Sequence, residues 1–182
     1  MTADTIVAPA TAEGRAGLSI IRISGNKSYK ICRKLTKNKV RFVDRGPVLS
    51  PVFLGDSIID HALITFFKTP KSYTGEDVFE ISCHGNPLIV KSILSELCEF
   101  GARTATPGEF TMRSFLNGKI DLMQAESVAS IIESKSIASS IAHNKILFGS
   151  LSKKIKTIKS MILLLISIVE FELDISEDET QP

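Results

Sequence analysis

The first hundred residues alternate short apolar, β-branched runs with amphipathic stretches. The runs predict four strands, at Leu18–Ile23, Val48–Leu54, His61–Phe67 and Asp77–Ser82. Two stretches whose apolar residues recur three and four positions apart predict helices at Ser28–Leu35 and Pro87–Glu99. This order of elements predicts an α+β fold, in which helices cover one face of a sheet.

From Asp121 onward the pattern is helical only, and Gly149 is the single glycine in that part of the chain. Apolar residues spaced three and four apart form a near-heptad stripe, made of Leu147, Leu151, Ile155, Ile158, Ile162, Leu165 and Val169. Such a stripe requires burial, so we expect it to pack on the α/β part, on another helix or on a second copy of the chain. The acidic end does not turn back toward a core, and we expect the chain to be interrupted there rather than finished.

Composition excludes several classes of protein. The apolar fraction of 43% and the charged fraction of 23% are those of ordinary globular proteins, which argues against disorder and fibrous structure. The formal charge of +2 is too small to indicate a nucleic-acid partner by itself. The basic residues concentrate in two stretches, Lys27–Arg45 and Lys153–Lys159, and each is either a phosphate-binding surface or a solvated helix face.

The three cysteines, Cys32, Cys83 and Cys98, are far apart and show no metal-ligand spacing, so we expect neither disulfides nor a metal site. The N-terminus lacks the features of a secretory or transit signal, and a cytoplasmic location is expected. The most apolar segment, Met161–Val169, is much shorter than the ~20 residues that cross a bilayer, so no membrane partner is expected.

The chain contains no G-x-x-x-x-G-K-[ST] pattern, the loop with which many nucleoside triphosphatases hold phosphate. Gly14 and Gly17 precede a strand, which is the wrong context for a dinucleotide-binding fingerprint and favours a tight turn. We therefore do not expect this chain alone to hydrolyse GTP.

Three segments carry residues that are unusual for a merely structural role. In RISG, Arg22 interrupts an apolar strand and should face inward or into a cleft. In YTGEDVFEISCHG, Glu76, Asp77 and Glu80 lie along a turn and a strand. The segment PGEFTMRSFLNGKIDLMQAES is rich in charged and aromatic residues, and its helical turn ends before Lys119. Cys83, in the second segment, is more often a buried, inert thiol in such a strand than a nucleophile.

These three segments, in this order, resemble the N-terminal region of the MnmE (TrmE) family of tRNA-modification GTPases. The resemblance covers the whole chain and begins with DTIVAPATAEGRAGLSIIRISG, which is similar to the strand pair that opens the family's N-terminal domain. It implies a mixed-sheet domain at residues 1–118, like the folate-binding domain of the glycine-cleavage aminomethyltransferase. The start of a central helical domain would follow at 119–182.

The resemblance also implies a function. The N-terminal domain would bind a reduced folate such as 5-formyltetrahydrofolate and form a homodimer. Together with a MnmG-like flavoprotein, the intact protein would modify the wobble uridine of tRNA at carbon 5 with a carboxymethylaminomethyl or aminomethyl group. GTP, K⁺ and Mg²⁺ belong to the family's GTPase domain, which this resemblance does not include, so no catalytic and no metal-binding residue is expected here.

Three residues match the family's folate contacts: Arg22, Glu80 and Lys119. A carboxylate can accept the adjacent N–H groups of a pterin ring, which suits Glu80, and a cation suits the glutamate tail or the formyl oxygen. Which of these two groups Arg22 and Lys119 would contact stays open. Two other functions also stay open: a stand-alone folate-dependent aminomethyl transferase, with Glu76 or Asp77 as its base, and a purely dimerising helical module.

Overall fold

The structure is a computed structural model that describes residues 4–178, with side chains through residue 173. Its strands are β1 (Ile6–Pro9), β2 (Ala16–Ser24), β3 (Val48–Leu54), β4 (Ser57–Phe67), β5 (Val78–Gly85) and β6 (Arg103–Thr104). Its helices are α1 (Ser28–Leu35), α2 (Pro87–Glu99), α3 (Glu109–Leu116), α4 (Leu122–Ile132), α5 (Ile137–Leu147) and α6 (Ser150–Asp178). The acidic end of the chain from residue 179 lies outside the described residues.

The strands form one six-stranded sheet in the order β3-β4-β5-β2-β1-β6. Neighbouring strands are antiparallel, except that β1 and β6 are parallel, so the sheet is mixed. The predicted α+β class is confirmed. Because β2 lies between β1 and β5, the two sequence segments that carry Arg22 and Glu80 become neighbours in the middle of the sheet.

One face of the sheet is covered by α1 and α2. Alternate residues of a strand point to opposite faces, and Ile21 and Ile23 of β2 share a fully buried cluster with Ile81 of β5. The same cluster includes the inward residues of the two helices, which are Ile31, Cys32, Leu35, Ile93 and Leu97. The opposite face, which we call the open face, carries the intervening residues of the same strands.

The sequence pattern located most of these elements correctly. Ser28–Leu35, Val48–Leu54 and Pro87–Glu99 have the bounds that the pattern predicted. The other three predicted strands are present but longer. Strand β6 was not predicted, because two residues have no periodicity and are a strand only through their pairing with β1.

Gly85 marks a place where two strands approach closely. It pairs with Ala16, and a Cβ atom built on it would lie 2.5 Å from the carbonyl oxygen of that residue. Real Cβ atoms do not come so close to a backbone oxygen, so only glycine fits at the end of β5.

The chain divides into two compact units, one ending at Ile120 and the other beginning at Asp121. The bounds implied by the resemblance, 1–118 and 119–182, remain a prediction. In the second unit, α4 begins with a capping box: the side chain of Asp121 accepts from the backbone of Gln124, whose own side chain accepts from the backbone of Asp121. The Gln124 amide also donates to the carbonyl of Leu147 at 2.6 Å, which ties α4 to the end of α5.

The predicted apolar stripe is not continuous. Gly149, with a φ of +81°, separates α5 from α6, so Leu147 lies on a different helix from the rest of the stripe. On α6 the stripe residues from Ile155 to Val169 are all exposed, and so are Leu163, Leu164 and Ile166 between them. Apolar side chains thus surround this part of the helix. Such a distribution is typical of helices that are buried on all sides. In the part of the chain that the structure describes, no helix is both long enough and apolar enough to cross a membrane.

Candidate functional site

Two of the three predicted site residues form an ion pair on the open face. Arg22 of β2 and Glu80 of β5 lie directly opposite each other in the strand register. The Nε and Nη2 atoms of Arg22 donate to Oε1 of Glu80 at 3.1 and 2.7 Å, and about a quarter of each side chain is exposed. Arg22 points to the open face because its neighbours Ile21 and Ile23 point to the helices.

Two aromatic rings, which we call the aromatic pair, flank this arginine. The guanidinium carbon of Arg22 lies 5.2 Å from the ring centre of Tyr73 and 5.8 Å from that of Phe110. Both distances are within the range of a cation–π contact. The hydroxyl of Tyr73 also forms a 2.9 Å hydrogen bond with that of Thr111, so the loop before β5 and helix α3 meet above Arg22.

Lys119 lies next to the same loop but not in the ion pair. Its Nζ donates to the carbonyl of Pro70 at 2.9 Å, and its side-chain carbons pack against Gly75. Among the described residues, no hydrogen bond or ion pair joins Lys119 to Arg22 or Glu80. The structure therefore brings two of the predicted residues into contact. The third, Lys119, lies against the loop that carries Tyr73.

Side chains at the end of α3 hold the backbone of this loop. Ser114 donates its hydroxyl to the carbonyl of Tyr73, and Asn117 donates its amide to the carbonyl of Thr74, each at 2.7 Å. A backbone fixed at successive residues presents its side chains in a defined place. The position of the Tyr73 ring above Arg22 is thus set by α3.

Beneath the loop lies a buried ionic network centred on Arg113. This side chain is 1% exposed, and its guanidinium donates to the carboxylates of Asp4, Glu76 and Glu109 at 2.8 to 3.4 Å. A second arginine, Arg103, donates to Asp4 and Glu109 from the exposed side. The network joins the start of the chain, the loop before β5, β6 and α3, four segments that are far apart in sequence.

Two carboxylates of this network, those of Glu109 and Asp4, have pKa values below their usual range. Hydrogen bonds from Arg103, with further bonds from the Thr106 backbone and from Arg113, lower the pKa of Glu109 to about 2 against the opposing effect of burial. The pKa of Asp4 is also below its usual range, chiefly because of Arg103. Glu109 and Asp4 are therefore charged at neutral pH, and a buried arginine requires such partners.

The two carboxylates considered as a base, Glu76 and Asp77, are engaged in the structure of the loop. Glu76 accepts from Arg113 and, at 2.7 Å, from the hydroxyl of Ser24. Oδ1 of Asp77 accepts from the backbone of Thr69 at 2.9 Å. These contacts give both carboxylates a structural role that the sequence did not reveal.

Cys83 and His84 point to opposite sides of β5, as expected for adjacent strand residues. Burial, with a contribution from Asp60, raises the pKa of the Cys83 thiol to about 11, which disfavours the thiolate that a nucleophile needs. His84 is exposed, and its Nδ1 lies 2.7 Å from Oδ1 of Asp60. Among the described residues, no group of three or more histidine, cysteine or acidic side chains could hold a metal ion.

A cavity of about 340 Å³ lies apart from the ion pair, between the loop after β1 and helix α2. Its lining is mostly apolar, with Thr11, Ser19, Glu13 and Lys91 as polar members. None of the predicted site residues lines it.

Neither the aromatic pair nor Arg113 was predicted as an individual site residue, although all three lie in the segments with unusual residues described above. Their spacing gave no signal, since the contacts arise only when the loop before β5 meets α3 in the folded chain.

The segments that carry these residues are also recognised by comparison with known proteins. Residues 5–119, which contain the Arg22–Glu80 pair, the aromatic pair and all of the Arg113 network except Asp4, match the family described as GTP-binding protein TrmE N-terminus. The chain belongs to this family.

Curated relatives extend the similarity beyond the TrmE N-terminal match. The chain is 44% identical over 178 residues to the tRNA modification GTPase MnmE of Francisella philomiragia, and 46% identical over the same length to that of Francisella tularensis subsp. novicida. The alignments cover 98% of this chain and 39% of each relative. The chain thus spans well under half the length of the relatives that it matches, and the second unit is included in the similarity.

Proposed function

We propose that this chain is the part of a tRNA-modification GTPase that binds a reduced folate, of the 5-formyltetrahydrofolate type, and forms the homodimer. The Arg22–Glu80 pair beneath the aromatic pair is the observation that carries this proposal. A folate has a flat pterin ring with adjacent N–H donors, a one-carbon group and an anionic glutamate tail. Glu80 on the open face and Lys119 beside the loop offer matching chemistry for the ring and for the tail.

Glu80 suits the pterin ring. Its hydrogen bonds from Arg22 both end on Oε1, and among the described residues no hydrogen bond reaches Oε2. A partly exposed carboxylate oxygen of this kind can accept an N–H of a ligand, and such charge-assisted hydrogen bonds are the strong ones. In this arrangement Arg22 orients Glu80 through two hydrogen bonds, which favours that role over binding of the glutamate tail.

Lys119 suits the anionic tail. Its ammonium holds the carbonyl of Pro70 through one of its three N–H groups, and the residue is exposed. A carboxylate arriving at the loop could accept from the same ammonium. The loop whose Pro70 carbonyl accepts from Lys119 also carries Tyr73, whose ring flanks Arg22.

The remaining parts of the proposal concern the intact protein. With a MnmG-like flavoprotein, it would modify the wobble uridine of tRNA at carbon 5, using a folate-derived carbon and GTP hydrolysis by residues that this chain does not contain. Its free cysteines and the family membership fit a reducing cytoplasm as the location. A stand-alone aminomethyl transferase is not favoured, since Glu76 and Asp77 already bind the loop.

Calorimetric titration of 5-formyltetrahydrofolate tests the folate site. We expect saturable binding to the chain, and Glu80→Gln should weaken it about tenfold to a hundredfold, because one acceptor of a charged hydrogen bond becomes a donor. Glu99→Gln, on the exposed side of α2, is the matched control and should bind as the unmodified chain does. Lys119→Gln should weaken binding of the glutamated folate more than that of a pterin without the tail.

Two results would contradict this assignment. A folded chain that produces no heat with the folate would remove the folate function. Equal losses in the Glu80 and Glu99 variants would show that the ligand binds elsewhere, for instance in the cavity beside α2.

A further inference from the structure

Helix α1 and the residues after it hold an unusual share of the positive charge. Residues 27–45 contain eight of the 22 lysines and arginines and only one of the 20 acidic residues, so this segment carries +7 while the whole chain carries +2. The rest of the chain is therefore net acidic, at −5. A marked asymmetry of this kind indicates a surface for a polyanion more strongly than net charge does.

The fold places four of these charges at or beside α1. Lys27, Lys30 and Lys34 are spaced three and four residues apart, so they lie along one side of the helix and its N-cap, and Lys37 follows the end of the helix. We call them the lysine stripe. The opposite side of the helix is buried through Ile31, Cys32 and Leu35, and all four lysines are exposed.

Little of this charge is neutralised within the protein. Among the described residues, the one ion pair made by the segment joins Lys37 to Asp56 at 2.6 Å, and both side chains are exposed. Aromatic rings hold other ammonium groups: Lys34 lies 5.5 Å from the ring centre of Phe100, and Lys39 lies 5.0 Å from that of Phe53. These contacts position the charges without cancelling them.

We propose that the lysine stripe binds the phosphate backbone of RNA, and, on the function proposed above, that this RNA is the tRNA substrate. Lysine ammonium groups in a row bind phosphates as point charges and carry no sequence preference. No aromatic ring in the stripe could stack with bases, so the stripe holds and orients the RNA while the choice of uridine is made elsewhere. An acidic protein face is the competing occupant.

Fluorescence anisotropy with a labelled tRNA transcript tests this surface in the full chain. Lys27→Glu with Lys30→Glu should reduce the affinity at least tenfold and make the slope of log affinity against log salt shallower by about two. The new carboxylates lie at the N-terminal end of α1, where negative charge stabilises a helix, so a loss of binding will not come from unfolding. Lys27→Arg with Lys30→Arg keeps the charges and should keep the binding.

Lys91→Glu with Lys135→Glu is the matched control, because it makes the same change in net charge at two exposed positions outside the segment. Equal losses in the two double variants would overturn the proposal in favour of net charge alone, and no loss in either would overturn it outright. Polyglutamate that competes with the RNA at equal charge would identify an acidic protein as the occupant. Folate titration of the same variants separates the two proposals, since the stripe variants should bind folate normally even when they lose RNA.

Discussion

In the first unit, strands β1 to β5 each contribute side chains that are fully buried, whereas in the second unit Ser127 is the one buried residue among those described. The first unit buries an apolar cluster and an arginine with three carboxylate partners. The second unit leaves most of its apolar side chains on the surface. The difference indicates that the first unit has a core of its own, whereas the second unit leaves apolar surface uncovered.

The largest loss of stability is expected from removal of the central arginine, Arg113. Arg113→Ala removes the arginine partner of Glu76 and one of the two arginine partners of the buried Glu109, and we expect the free energy of unfolding of the first unit to fall by about 3–5 kcal/mol. Both tyrosines of the chain lie in this unit, so tyrosine fluorescence during urea denaturation follows it alone. Arg15→Ala, at an exposed position, should change the free energy by less than about 0.5 kcal/mol; equal effects would refute a central role for Arg113.

Acid should weaken the first unit through the same network. The folded-state pKa of Glu109, about 2, lies below its ordinary value of 4.5. Its stabilising contribution is therefore fully present above pH 4.5 and is lost as the pH falls toward about 2. Glu109→Gln should reduce the free energy of unfolding at pH 7 and flatten its decline between pH 4.5 and 2.5. A variant with the same acid sensitivity as the unmodified chain would assign that sensitivity to other groups.

The smallest effect on stability is expected in α6, where the effect on association should be large. Ile158→Lys removes an apolar group that is 56% exposed, so the free energy of unfolding of the first unit should change by less than about 0.5 kcal/mol. Self-association in analytical ultracentrifugation should decrease, since exposed apolar surface on this helix promotes contact between copies. Ser160→Lys adds the same charge at an exposed polar position of α6 and serves as the control.

If dimers persist in the Ile158 variant while folate binding is intact, the first unit carries the dimer interface. If dimers are lost, α6 carries it. Either result assigns the dimer interface to one of the two units.

Periodicity located the elements that bury a regular side, such as α1 and α2, because burial on one side leaves a pattern in the sequence. It could not locate β6 or the break at Gly149 with its effect on the stripe, since a two-residue strand and a left-handed glycine are defined by their surroundings. Arg22 was expected to face inward or into a cleft. It points away from α1 and α2, because neighbouring strand residues alternate, and lies between the rings of Tyr73 and Phe110.

The predicted folate residues illustrate the same limit. Arg22 and Glu80 are 58 positions apart, and only the central position of β2 in the sheet makes them neighbours. The resemblance supplied both residues, but it gave no indication that they would bond to each other. Their roles toward a ligand are still a prediction.

The close approach at Gly85 restricts how this sequence can change over time. A single methyl group there would meet the carbonyl oxygen of Ala16 at 2.5 Å, and the obstacle is backbone, so no exchange of a neighbouring side chain could compensate. Gly25 is restricted in a similar way by the backbone of Thr5, at 2.8 Å. Chains that descend from a common ancestor and keep this sheet should therefore keep glycine at both positions, even after the surface, the lysines and the ligand groups have diverged.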